Sequence, residues 1–222
     1  MIEVGALRFS YPDSTFRLEV DDFRVEQGQA IALVGPSGSG KTTFLYLLAG
    51  ILTPRSGTIR VGDFTVSGAS DESRRRFRIA RIGFVFQELH LLDYLDVREN
   101  IALPIRLDPS RALDSVSLAR IVRLAERVGI ADKLSRFQNA LSQGERQRVA
   151  ICRALVSDPV VIFADEPTSS LDVSTSATTL SLMLELVREH RTTLLMLTHD
   201  ESLLGHFDRV VRLPEFSEMS TR

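Results

Sequence analysis

The sequence lacks any apolar run long enough to cross a membrane. Its most apolar stretch, residues 44–52, is far shorter than the ~20 residues that a spanning helix needs. The N-terminal residues 1–10 alternate polar and apolar side chains and contain no long apolar core of the kind found in signal peptides. If this protein works at a membrane, we expect another chain to supply the part that crosses it.

The sequence also contains little cysteine and carries little net charge. Cys152 is the one cysteine among 222 residues, so no intramolecular disulfide can form, and a reducing compartment is permitted. The formal net charge of −2 gives no overall attraction to nucleic acid or to an anionic membrane. The arginine-rich segment 74–81 fits either a nucleic-acid patch or a solvated helix face, and the negative total charge favours the helix face. We therefore expect no nucleic-acid partner.

Hydrophobic periodicity divides the chain into a mixed first part, a helical middle and an alternating last part. The strands predicted in the first part are 2–9, 16–25 and 30–34, and residues 57–66 are predicted to form another hairpin strand or a pair of strands. A helix is predicted from about 41 to 49, and in the middle part Ser117 is predicted to cap a helix that ends at Gly129. The last part is predicted to alternate strands with a helix, at 160–164, 174–190, 193–197 and 209–213. This alternation indicates an α/β fold with a parallel sheet and crossover helices.

A glycine-rich loop follows the short apolar strand 30–34. Its residues, Gly35-Pro36-Ser37-Gly38-Ser39-Gly40-Lys41-Thr42, fit G-x-x-x-x-G-K-[ST] at every fixed position. Glycines allow backbone N–H groups to approach phosphate oxygens, and the helix that follows directs its positive end at the same anion. Lys41 adds a charge for the β- and γ-phosphates, and the Thr42 hydroxyl is suited to Mg²⁺. The sequence therefore predicts a P-loop NTPase core that binds ATP and Mg²⁺.

Two carboxylates end another buried strand pattern. Asp165 and Glu166 directly follow the apolar residues 160–164. Asp165 is placed to hold Mg²⁺, directly or through water, and Glu166 to orient or deprotonate the attacking water. By themselves two carboxylates at a strand end are more often simply exposed, but beside a phosphate loop we favour the catalytic interpretation.

Further motifs narrow the family. Residues 141–145, Leu-Ser-Gln-Gly-Glu, resemble the signature motif of ATP-binding cassette (ABC) proteins, and Ser142-x-x-Glu145 is also a capping box that predicts a helix start. Gln87 resembles the glutamine of the family's Q-loop, and residues 169–172, which end in Asp172, resemble its D-loop. His199 resembles the switch histidine, and Tyr11 the aromatic residue that stacks on adenine. The motifs occur in the family's order and cover nearly the whole chain.

The resemblance implies a single ABC ATPase domain over 1–222. Residues 1–87 and 157–222 would form the nucleotide-binding core with an N-terminal antiparallel β subdomain, and 88–156 an inserted helical subdomain. Catalysis would involve Glu166, His199 and Gln87, with Gln87 also near the metal beside Thr42 and Asp165. The remaining nucleotide contacts would come from Tyr11, residues 35–43 including Thr43, Asp172, and Ser142 with Gly144 of the opposite subunit.

The sequence departs from the family pattern within the signature and the D-loop. Gln143 stands where glycine is usual, Glu145 where glutamine is commonest, and Ser170 where alanine is more usual. Gly144, the glycine that lies closest to the phosphate in the family, is retained, so we expect activity to survive. The Glu145 carboxylate suits a helix start but adds negative charge near ATP.

As a function, the resemblance implies an ATP-hydrolysing subunit on the cytoplasmic face of the bacterial inner membrane. It would work as a homodimer, or with a closely related ABC subunit, and couple ATP-driven closure and opening to a separate integral-membrane permease. Residues 81–87 and 97–100, and the absence of an extension after Arg222, favour the branch that serves lipoprotein release, macrolide export and cell division. Apolar residues between 89 and 95 would belong to the helical core and, where exposed, to the surface that contacts the permease.

Alternative functions differ in what the ATPase drives. A regulatory module that switches a membrane partner without transport stays open. A chromosome or repair ATPase is disfavoured because no sustained heptads separate the phosphate loop from the signature. A translation factor with tandem cassettes is disfavoured because the chain contains one cassette.

Overall fold

Two β-sheets organise the chain in the computed structural model, which describes residues 1–169 and 171–213; Ser170 lies outside them. An antiparallel sheet has the order β2-β1-β4-β5, and a parallel sheet has the order β6-β7-β8-β3-β9. The strands are β1 (Ile2–Phe9), β2 (Leu18–Val25), β3 (Ala30–Val34), β4 (Ser56–Val61), β5 (Phe64–Thr65), β6 (Ile82–Val85), β7 (Val161–Asp165), β8 (Thr193–Leu197) and β9 (Arg209–Arg212). The predicted α/β fold is confirmed.

Six α-helices within the described residues connect and cover the sheets. They are α1 (Lys41–Leu48), α2 (Asp71–Arg81), α3 (Val97–Leu107), α4 (Ser115–Arg127), α5 (Gln143–Leu155) and α6 (Val173–Glu189). Three of them, α3 to α5, lie between β6 and β7 in the chain, within the segment expected to be helical. None of the helices in the described part of the chain is both long enough and apolar enough to span a bilayer.

One predicted helix start was wrong. Asp114, not Ser117, is the N-cap of α4, and its carboxylate accepts a hydrogen bond from the Ser117 backbone N–H at 2.8 Å. Both residue types cap helices, and the aspartate three positions earlier captures the N–H that an N-cap normally satisfies. The predicted end is confirmed, because Gly129 follows the C-cap with φ 71°.

Two hydrophobic clusters lie on opposite faces of the parallel sheet. Ile31 and Leu33 of β3 point toward α1 and the antiparallel sheet, whereas Ala30 of the same strand joins the cluster that α3 to α6 form. All five residues of β3 are buried, as expected for a strand that is covered on both faces. Cys152 is fully buried in the helical cluster, where it packs as a small core residue.

The strand order brings three chain segments to one edge of the parallel sheet. β8 pairs with β7 on one side and with β3 on the other, and all three strands run parallel. Their carboxyl ends lead into the glycine-rich loop, into Asp165-Glu166 and into Thr198-His199. Ligands of open α/β sheets bind at this edge, so the fold itself assembles the candidate site.

Candidate functional site

The glycine-rich loop forms a tight cradle between β3 and α1. Gly38 and Gly40 have φ angles of 79° and 94°, which a residue with a Cβ adopts only under strain. Gly40 is the N-cap of α1, and no side chain of the described residues caps this helix. The first backbone N–H groups of α1 therefore remain available to an anion at its positive end.

Two hydrogen bonds fix the Lys41 side chain at this cradle. Its ammonium group donates hydrogen bonds to the carbonyl oxygens of Gly35 at 2.7 Å and Pro36 at 2.9 Å, and the residue is 8% exposed. The hydroxyl of Ser39 in the same loop is buried and has no hydrogen-bond partner among the described residues. The cradle thus contains a buried cation and an unsatisfied hydroxyl, both of which suit phosphate oxygens.

Two aromatic residues lie beside the cradle. Tyr11 and Phe16, whose ring centroids are 5.8 Å apart, line a cavity of about 380 Å³ together with residues of the glycine-rich loop, Thr42, Thr43 and Glu166. The Tyr11 hydroxyl lies 3.0 Å from the Thr43 hydroxyl. A cavity of this size that is lined by aromatic rings and a phosphate cradle fits a nucleotide.

Thr42 and Asp165 meet beside the glycine-rich loop. The Thr42 hydroxyl donates to Asp165 Oδ1 over 3.5 Å. Burial raises the pKa of the Asp165 carboxyl, while the Thr42 hydrogen bond opposes this change. A hydroxyl beside a half-buried carboxylate fits Mg²⁺, which takes one or two protein oxygens and completes its shell with water and phosphate. Consistently, the described residues contain no cluster of three or more His, Cys, Asp or Glu that would hold a metal alone.

Glu166 is fixed by both its backbone and its side chain. Its φ of 44° lies in the left-handed region, which costs a non-glycine residue roughly 1–2 kcal/mol. The backbone N–H donates to the Leu197 carbonyl at 3.1 Å, and carboxylate Oε2 lies 3.0 Å from Nδ1 of His199. Strain of this kind persists where surrounding contacts enforce it, and it is concentrated at functional sites.

Gln87, Glu166 and His199 line a second cavity of about 530 Å³ beside the first. Gln143 and Arg146, from the start of α5, line its opposite wall. The structure thus brings the three expected catalytic side chains around one space, with Glu166 shared between the two cavities. Within the described residues 1–169 and 171–213, no hydrogen bond joins Gln87 to Thr42 or Asp165.

The signature residues lie at the start of α5. Ser142 is the N-cap, and the predicted capping box is confirmed: its hydroxyl accepts from the Glu145 N–H, and the Glu145 carboxylate accepts from the Ser142 N–H. Ser142 and Gly144 are not among the residues that line the cavity at the glycine-rich loop. Nor is Asp172, whose carboxylate accepts from the Thr175 N–H at 3.0 Å at the start of α6.

Comparison with known proteins places this site in a family. The family model described as ABC transporter matches residues 18–169. The chain belongs to the ABC transporter family. Its ABC relatives include the lipoprotein-releasing system ATP-binding protein LolD of Legionella pneumophila (strain Lens), 40% identical over 94% of this chain and 92% of that protein. Another is an uncharacterised ABC transporter ATP-binding protein of Mycobacterium tuberculosis (strain H37Rv), 40% identical over 96% of this chain and 86% of that protein.

Solved ABC structures share the fold. The dimeric, post-hydrolysis ATP-binding cassette MJ0796 bound to ADP and Pi superposes with a TM-score of 0.83 at 27% identity, covering 96% of this chain and 94% of that one. The cbiO1 subunit of Clostridium perfringens gives a TM-score of 0.85 at 28% identity, covering 95% and 83% of the two chains. The chain is therefore the ATP-binding subunit of an ABC transporter, and it is an ATPase.

Sequence reasoning missed several residues around the ABC site. Phe16 was assigned to a strand, but β2 begins at Leu18 and the Phe16 ring faces the nucleotide cavity. Gln147 is 1% exposed and donates to the Pro167 carbonyl, next to Glu166. An aromatic residue next to the Tyr11 turn was an available signal for Phe16. No sequence signal identifies Gln147, because its partner lies on a distant segment.

Proposed function

We propose that two copies of this chain bind two Mg-ATP molecules at their interface and hydrolyse them to drive a separate membrane permease. The observation that carries this proposal is the shared sheet edge, where the Lys41 cradle, Asp165 and the Glu166–His199 pair surround adjoining cavities. Residues 35–43 bind the phosphates, Lys41 neutralises their charge, and Tyr11 and Phe16 support the base. Thr42 and Asp165, with Gln87 nearby, would hold Mg²⁺, which would supply charge neutralisation at the reacting phosphate.

Glu166 is the proposed base for water. Its left-handed backbone and its hydrogen bond with His199 hold the carboxylate where both cavities open. His199 orients Glu166 and contacts the γ-phosphate once ATP is bound, and Gln87 contacts the water and metal from the second cavity. These roles follow the principle that a base is held in place by a second hydrogen-bonded group.

The second copy is proposed to complete each site through Ser142, Gly144 and Asp172. Within one chain, a Cβ added to Gly144 would meet only the Thr175 Cγ2 methyl, at an ordinary 3.7 Å. Since nothing in the described chain requires a glycine there, a close approach from outside explains it. The dimeric state of the MJ0796 cassette supports this arrangement.

A permease-docking surface is proposed beside the second cavity. Leu89, within the apolar cluster expected to dock, is 4% exposed and belongs to the core, whereas Tyr94 is 71% exposed. The adjacent groove of about 370 Å³ is mainly apolar, and Ile51 and Leu107 on its walls are 43% and 56% exposed. We assign this groove and Tyr94 to an apolar helix of the permease, and we place the protein peripherally on the cytoplasmic side of the inner membrane.

The named relatives narrow the transport class. LolD proteins from Legionella and Xanthomonas match 94–96% of this chain at 38–41% identity. We therefore propose a permease of the lipoprotein-release type. Purification of tagged chain from membranes with its partner tests this: a partner with a substrate route supports transport, and one without a route supports the regulatory alternative.

The mechanism is tested by Glu166→Gln. The variant keeps the shape of the side chain and removes the base, so it should bind Mg-ATP, form a stable dimer by size-exclusion chromatography with light scattering, and lose at least about 100-fold in turnover. Ser169→Ala is a matched control, because Ser169 lines the same cavity and its hydroxyl donates to the Glu166 backbone carbonyl rather than to the carboxylate. Wild-type turnover by Glu166→Gln would refute the assignment of the base.

A further inference from the structure

The chain around Gln87 has a rare backbone conformation. Leu89 and His90 are consecutive non-glycine residues with φ angles of 59° and 45°. Because a Cβ crowds the backbone in this region, such residues keep the conformation only when other contacts enforce it. The Leu89 N–H donates to the Phe86 carbonyl at 3.0 Å, so Gln87 and Glu88 form the two central positions of a tight turn. The position of Gln87 therefore depends on whatever holds Leu89 and His90.

Arg153 of α5 provides that contact. Its guanidinium donates to the His90 carbonyl at 2.7 Å and also to the Leu89 carbonyl. Arg153 is 7% exposed, and no carboxylate among the described residues pairs with it. Burial lowers its pKa to about 10. A buried guanidinium that binds only carbonyl groups is a costly arrangement, and here both bonds go to the two left-handed residues.

Asn100 of α3 holds the far end of the same segment. It is 1% exposed, accepts from the Leu92 N–H at 2.8 Å, and donates to the carbonyls of Leu92 and Leu95 at 3.0 Å each. The segment 89–95 is thus attached to α5 at its start and to α3 at its end. Its backbone contacts with two helices make it follow their movement.

The helix that carries Arg153 also starts with the signature. Ser142 is the N-cap of α5, and Arg153 lies 153 − 142 = 11 residues later, about 16 Å along the axis. Between them, Gln147 donates to the carbonyl of Pro167, which follows Glu166. One rigid helix therefore connects the signature with the chain segments next to Glu166 and next to Gln87.

We propose that Arg153 is a positioning residue for ATP hydrolysis, which ties the turn that bears Gln87 to the signature helix α5. This inference rests on the proposed role of Gln87 in the ATP site. When α5 moves as the partner's nucleotide contacts Ser142, the two Arg153 hydrogen bonds carry Gln87 with it. Arg153 touches no reacting atom, so its loss should alter the placement of Gln87 and leave the phosphate cradle intact.

The test compares Arg153→Met and Arg153→Lys in the full-length chain. In Arg153→Met, amide hydrogen exchange in residues 87–92 should accelerate at least about tenfold because the turn loses its anchor. Turnover should fall at least about fivefold while the KM for ATP stays within about twofold, since the effect lies after binding. Arg153→Lys keeps a donor to the carbonyls and should recover part of both changes. Arg148→Met is the matched control, because Arg148 lies on the same helix and donates to the Val128 carbonyl at 3.1 Å, away from Gln87.

His90→Gly gives a second route should Arg153→Met fold poorly. Glycine adopts the left-handed conformation without strain, so in the Arg153→Lys background His90→Gly should return exchange in 87–92 and turnover part of the way toward wild type, whereas His90→Ala should not. Wild-type exchange in the Arg153 variants, or equal losses in Arg148→Met, would overturn the proposal. Gln87→Ala separates failure of the proposed ATP site from failure of the proposed role of Arg153. If Gln87→Ala keeps full turnover, the proposed role of Gln87 in the site is wrong. If Gln87→Ala loses turnover and the Arg153 variants do not, only the proposed role of Arg153 is wrong.

Discussion

Replacing Gly144 by alanine should separate the stability of the chain from its activity. Gly144 is the second residue of α5, and its φ angle lies outside the left-handed region. An alanine Cβ would meet Thr175 Cγ2 at 3.7 Å, an ordinary contact. Because glycine is disfavoured in helices, the substitution should stabilise the isolated chain by about 0.5–1 kcal/mol. For a chain of this size, that corresponds to a rise in melting temperature of about 1–4 °C.

Activity should change in the opposite direction. If the partner's γ-phosphate packs against the backbone of Gly144, the added methyl group occupies that space and displaces the signature. A loss of at least about tenfold in kcat/KM is expected, which equals about 1.4 kcal/mol of lost transition-state stabilisation. Combined with Glu166→Gln, the substitution should also abolish the ATP-dependent dimer.

The assays are thermal unfolding without nucleotide, steady-state phosphate release, and light scattering with Mg-ATP. Gly205→Ala is the matched control, since a Cβ at Gly205 meets nothing within 4 Å and the residue lies outside both cavities. A stable Gly144→Ala chain with wild-type turnover would refute the trans contact. A chain that melts earlier would show instead that Gly144 has a structural role within its own subunit.

The remaining predictions concern charge, the thiol and docking. Burial raises the folded-state pKa of Asp165, so the contribution of this carboxyl to stability is present below its unfolded pKa and is lost as pH rises through its folded pKa. Asp165→Asn should therefore raise the nucleotide-free melting temperature at pH 7 and abolish Mg²⁺-dependent turnover. An unchanged melting temperature would contradict this prediction. Burial raises the pKa of the Cys152 thiol to about 12, so a disulfide reagent at pH 8 should modify it only after unfolding in guanidinium, and rapid modification of the folded chain would disprove its burial. Leu107→Glu should reduce recovery of the chain with membranes without lowering its melting temperature. Val116→Glu alters a 70% exposed residue outside the groove and should leave recovery with membranes unchanged. Equal recovery of both variants would exclude the groove as the docking surface.

Local sequence signals predicted the parts of the fold that depend on neighbours in the chain. Strands 30–34 and 193–197 were placed correctly because runs of buried apolar residues between turn signals are typical of central parallel strands. The capping box at Ser142 was also predictable, since both of its partners lie three residues apart. The start of α4 was not, because Asp114 and Ser117 are both good N-caps and the sequence alone does not rank them.

Contacts between distant segments lay beyond sequence reasoning. The pairing of Glu166 with His199 joins two strands that are 33 residues apart, and the bonds from Arg153 to Leu89 and His90 span more than 60 residues. Arg153 stood in an apolar stretch that indicated only a buried helix. The proposed role of Arg153 depends on backbone carbonyls. Because every residue carries a carbonyl, the pattern of side chains does not indicate which ones Arg153 contacts. Motifs therefore identified the groups that line the candidate site, but not the groups that hold them in place.

The unusual glutamate of the signature shows how one such contact changes an expectation. Glu145 was expected to add negative charge near ATP. Its Oε2 instead accepts from the Ser142 N–H at 2.8 Å, and Oε1 lies 3.9 Å from the Lys133 ammonium. The hydrogen bonds with Ser142 and the nearby Lys133 charge lower the pKa of this carboxyl. The charge is thus directed toward its own helix start, where it occupies the Ser142 N–H, and is balanced by a lysine, so the same residue stabilises α5 and leaves the Gly144 N–H for a phosphate.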